Sequence, residues 1–131
     1  MQTRIKIENI KVVRFDPKTL VTQLEVLFKD GEKQEKVITE YLLKNPEKIL
    51  NELLLAIKSK NRMIIDDATL NPVEKLEIYS PIVIEKEEET EVKVFNFIRL
   101  LCEKANRLKN TKNAKDYMQL FNEFKTQSLK L

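Results

Sequence analysis

Between Pro81 and Leu101 the chain reads PIVIEKEEETEVKVFNFIRLL, where Glu85, Glu87, Glu88, Glu89 and Glu91 place five carboxylates within seven residues. Carboxylates in such number could bind calcium or magnesium, provided they converge on one point. Consecutive glutamates on a forming helix point in different directions, so convergence is not expected. Carboxylates at a helix start also stabilise the positive end of its dipole, each by roughly 0.3–1 kcal/mol. The run is therefore read as an acidic linker and helix start, with no metal assigned.

Asp66-Asp67 is a second acidic pair. Together with Glu91-Val92-Lys93 it can be fitted to the D…ExK arrangement of metal-dependent nucleases, where carboxylates hold the metal and lysine neutralises developing charge. The same D/E-x-K triplet also occurs at Asp16-Lys18 and Glu123-Lys125. Lys93 would moreover sit on a helix. A turn-forming aspartate pair is the simpler reading.

Other chemistry is removed by composition. The chain has no histidine, which excludes His-based acid–base catalysis, Ser-His-Asp triads and His-containing zinc sites. A single glycine, Gly31, cannot build a P-loop or a GxGxxG turn. The lone cysteine, Cys102, forbids an internal disulfide and fits a reducing compartment. A cytoplasmic location is expected, with no membrane contact, because no apolar run approaches the roughly 18 residues needed to span a bilayer. No cofactor is expected, and the chain is read as non-catalytic.

Charge provides the remaining candidates. Charged residues make up 34 % of the 131 residues, against about 25 % in an average soluble domain. Residues 1–84 carry 14 Lys/Arg and 13 Asp/Glu, for +1, while residues 85–98 carry 2 and 5, for −3. Residues 99–131 carry 8 and 3, for +5. Arg99, Lys104, Arg107, Lys109, Lys112 and Lys115 are therefore the candidate phosphate-contacting residues. A net charge of +3 is small for a nucleic-acid binder. No aromatic side chain interleaves these cations as a base-stacking platform requires.

The elements that must carry these groups follow from periodicity. In TRIKIENIKVVRF, Ile5 and Ile7 share one parity and Ile10 and Val12 the other, so a strand with a bulge near Asn9 is predicted. Leu20, Thr22, Leu24, Val26 and Phe28 then alternate cleanly on one face. Asp30-Gly31 predicts a two-residue type I′ hairpin turn, with Phe28 opposite Lys33 and Val26 opposite Glu35. The charged return strand is read as a blunted edge. Leu27 and Phe28 are the candidate protein-interface residues, should this hairpin project as an arm, and Phe28 is expected to be partly buried at the sheet margin.

Asn45-Pro46-Glu47 predicts a helix start, and Ile49, Leu50, Leu53, Leu54 and Ile57 give that helix a wide apolar stripe that must cross the sheet. Further strands are expected at 63–65 and 75–84. Two helices follow, over 92–110 and from Asn113 onward, the second with Tyr117, Phe121, Phe124 and Ser128 on one face. Cys102 falls on the apolar side of its helix.

The expected fold is a single α+β domain over 1–131. Residues 1–84 supply an antiparallel sheet of four or five strands with one crossing helix. Residues 85–91 are the acidic linker and helix start, and residues 92–131 form a C-terminal helical hairpin. The leading functional expectation is a non-catalytic protein-binding module, through a protein partner or self-association. The alternative is nucleic-acid binding by the basic helical hairpin, and a metal-dependent nuclease ranks third.

Overall fold

The computed structural model describes residues 3–63 and 82–131. Strands β1 (Thr3–Asp16), β2 (Val21–Asp30) and β3 (Lys33–Leu42) precede helix α1 (Pro46–Met63). Strand β4 (Ile82–Ile84), helices α2 (Glu87–Asn110) and α3 (Ala114–Lys125), and strand β5 (Ser128–Lys130) complete the chain. The sheet runs β3-β2-β1-β4, with β5 also paired to β1. Among the described residues every pairing is antiparallel except β1 with β4, which is parallel. This is the α+β architecture read from the sequence.

The parity change in β1 has a structural cause. Pairing with β2 skips one residue between Ile7 and Asn9 and another between Val12 and Arg14. Glu8 and Val13 are the extra residues, and each bulge turns the side-chain alternation over. Ile5 and Ile7, then Ile10 and Val12, then Phe15 therefore all enter one core. Ile7, Ile10 and Val12 stand opposite Phe28, Val26 and Leu24. The Thr22 hydroxyl, fully buried, donates to the Arg14 carbonyl at 2.9 Å beside the second bulge.

The hairpin between β2 and β3 differs from its expected register. Its loop residues are Gly31 and Glu32, Asp30 pairs with Lys33, Phe28 with Glu35, and Val26 with Val37. Of the two loop residues only Gly31 has a positive φ, +65°, which is the pattern of a II′ turn rather than I′. Glycine takes the first loop position, and moving the loop by one residue shifts every partner by two. Phe28 is fully buried, not marginal. Glu35 beside it reaches outward along the edge and pairs with Lys33 at 3.0 Å.

The Asn45 side chain caps α1, accepting from the backbone N–H of Glu47 at 3.1 Å and of Lys48 at 3.3 Å. Ile49, Leu53, Leu54 and Ile57 then bury against the sheet. The strand expected at 63–65 is corrected at Met63, which lies in α1. Residues 64 and 65, with the 75–81 part of the other expected strand and Asp66-Asp67, lie outside the described residues. Ile82–Ile84 does form a strand.

Helix α2 begins at Glu87, earlier than the predicted Val92, because Glu87, Glu88 and Glu89 form its first turn. Val94, Phe97, Ile98, Leu101, Ala105 and Leu108 bury its inner face. Helix α3 opens on Asn113, whose side chain accepts from Lys115 N–H at 2.9 Å and Asp116 N–H at 3.3 Å. It stops at Lys125, so Ser128 lies in β5 and not on the α3 face as expected. The reason is tertiary: β1 offers an unpaired edge, filled where Leu129 pairs with Ile10 and Val12 N–H donates to the Gln127 carbonyl at 3.1 Å. Phe124 locks α3 down by stacking on Phe15, with ring centroids 4.0 Å apart. No helix among the described residues is long and apolar enough to cross a membrane.

Candidate functional site: a cation-rimmed groove beside α2

The outward stripe of α2 and two sheet-end connections enclose a groove of about 670 Å³. One wall is the β1–β2 turn. There Asp16 accepts the Lys18 N–H at 2.9 Å, and that bond is the main reason its carboxyl lies below the usual carboxylate range. Leu20 closes the same turn in the left-handed region, φ 61°, a conformation few non-glycine residues adopt. Two hydrogen bonds hold it: Leu20 N–H to the Asp16 carbonyl and Leu43 N–H to the Leu20 carbonyl, each 2.9 Å. The second also ties the β3–α1 connection, the other wall, to the first.

Leu20, Leu42, Leu43, Pro46 and Cys102 make the lining largely apolar, and Leu42 is 51 % exposed. Among the described residues, Lys18, Lys44, Arg99 and Lys109 add four cations, against one acid, Glu103. No aromatic side chain among the described residues lines the groove. Partial burial, then Glu103, pushes the Cys102 thiol up from its ordinary value, so at neutral pH it is a protonated, weakly nucleophilic side chain.

Of the six cations singled out from sequence, Arg99 and Lys109 line this groove. Lys104 and Arg107 do not: at 3.6 residues per turn they stand about 140° and 80° round α2 from Arg99 on one side, whereas Lys109 stands about 80° from it on the other, groove-facing side. Lys112 lies in the α2–α3 connection and Lys115 in the first turn of α3. The expected basic patch is thus split by helical rotation. Lys18 and Lys44 escaped the sequence reading. Each follows a turn or precedes a helix cap, which marks it as exposed, but no local pattern brings residues 18, 44, 99 and 109 together.

The other candidates are placed as follows. Phe28 is in the core, which removes its side chain from any surface. Leu27 is half-buried on the opposite sheet face, level with Asn9 and Lys36. The glutamates open α2, and Glu87 pairs with Lys58 of α1 at 3.6 Å. Among the described residues no group of three His, Cys, Asp or Glu side chains is arranged to hold a metal ion. Comparison with protein-family models, curated proteins and solved structures finds no match.

Proposed function

We propose that the protein is a non-catalytic protein-binding module that receives an acidic, apolar-bearing segment of a partner in the α2 groove. One observation carries this reading: among the described residues, the groove combines an apolar floor with four cations and one acid. Apolar contact supplies affinity, while the cations select charge and accelerate encounter. Arg99, with its planar fork, is suited to a carboxylate. Nucleic acid fits the same charge less well, since the described residues of the groove include no aromatic on which bases could stack.

The test is co-purification from the native host with the wild type and with Lys18→Glu/Lys44→Glu, two exposed changes on the groove walls. A protein retained by the wild type and lost by the double variant is the expected result. Retention of nucleic acid instead, seen in the absorbance ratio and lost with the same variant, would establish the alternative. A partner bound equally by both proteins would move the function off the groove.

A further inference from the structure

The outward stripe of α2 contains both a cation-rich half and a complement to it. Steps of four and three residues link Glu88, Val92, Phe95, Arg99, Cys102, Asn106 and Lys109 in one broad stripe of the helix, about 100° wide. That is the spacing of a seam two helices can share. Charge is polarised along it, with Glu88 at the start and Arg99 and Lys109 in the second half. Val92, 60 % exposed, stands one turn beyond Glu88. An exposed apolar residue next to an acid thus occupies one half of the stripe. An apolar floor rimmed by cations flanks the other half.

We infer that the groove's occupant is a second copy of this chain, paired through α2 in antiparallel orientation. This rests on the groove being a docking site. Antiparallel pairing of a polarised stripe is self-complementary, and a two-fold axis closes it at two copies. It sets Glu88 beside Lys109 of the second copy, Phe95 beside Cys102, and Val92 into the groove near Asn106. Arg99 falls at the axis, where Glu103, one turn on in each copy, supplies counter-charge. Both halves of the contact form twice, so each copy lends the acid and the base. A head-to-tail arrangement would grow without closing.

Sedimentation velocity over a concentration series tests this. The wild type is expected to be a monomer–dimer equilibrium that weakens as salt rises. Glu88→Lys and Lys109→Glu should each raise the dissociation constant about tenfold by setting like charges together. The double variant Glu88→Lys/Lys109→Glu restores the pairing with its sign reversed and should return close to wild type. Val92→Glu, at an exposed position, should be monomeric with an unchanged circular dichroism spectrum. A wild type that stays monomeric, or a dimer indifferent to these changes, or a double variant no tighter than the singles, would each overturn the inference. Loss of a foreign partner in Lys18→Glu/Lys44→Glu from a monomeric wild type would overturn self-pairing alone. A dimer untouched by every variant, with nothing captured by the groove, would overturn both readings.

Discussion

Phe28 shows how one residue's energy depends on its register. It is fully buried against Ile7 of β1, with Glu35 as its neighbour on the edge strand. Phe28→Ala should therefore cost about 3–5 kcal/mol through lost burial and an unfilled cavity. Leu27→Ala, on the outer face, should cost under about 1 kcal/mol. Denaturant midpoints at constant slope compare the two directly. Cys102 makes a pH-dependent prediction. Burial raises its folded-state pKa above the ordinary 9.0, so the unfolded chain releases this proton first as pH rises. Its contribution is fully present below pH 9.0 and is lost as pH climbs through the higher folded value. Tyr41, also raised chiefly by burial, adds a loss that begins above its ordinary 10.0. Stability should accordingly fall in alkali, and Cys102→Ala should show a shallower first decline in chemical denaturation between pH 8 and 10.

The elements are held by local devices of modest energy. Three glutamates in the first turn of α2 face the positive end of its dipole, while Lys86 before them makes no side-chain cap bond. Replacing Glu87, Glu88 and Glu89 by Gln should lower stability by roughly 1–3 kcal/mol at low salt, from about 0.3–1 kcal/mol each. The loss should shrink in high salt, because these interactions are exposed and screened. An equal loss at both salt concentrations would assign the glutamates some other role. Asn113 is the cap of α3, satisfying two backbone donors, and Asn113→Ala should cost about 1 kcal/mol. Thermal unfolding reads that change, which should leave the β1–β2–β3 meander intact.

At the scale of the molecule, β1 organises the sheet. It pairs with β2 on one side and with β4 and β5 on the other. The last strand is short, yet it occupies an edge that would otherwise present open backbone groups, including the Glu8 carbonyl that accepts from Leu131 N–H at 2.9 Å. Truncation after Thr126 should lower the melting temperature and expose an edge prone to pairing with other chains. Concentration-dependent light scattering on warming, absent from the full chain, is the expected signature. The groove should survive this truncation, since its walls are the β1–β2 turn, the β3–α1 connection and α2.

Local sequence determined most of the elements, because alternation, helical spacing and capping are short-range effects. Ile5–Ile7 against Ile10–Val12 announced a bulge, Leu24–Val26–Phe28 a core face, and Asn45 and Asn113 their helices. What reached beyond nearest neighbours was decided by tertiary structure. Gly31 took the first loop position and shifted the hairpin register, and the free edge of β1 drew residues 128–130 out of helix. The site shows this most clearly. Arg99 and Lys109 were legible as charges, and helical rotation alone separates them from Lys104 and Arg107, but which side of α2 meets the groove depended on packing. Lys18 and Lys44 joined them because the β2–β3 pairing, extended by the hydrogen bond from Leu43 N–H to the Leu20 carbonyl, brings two distant turns together. Charge can be read along a chain. Convergence of charge is a property of packing.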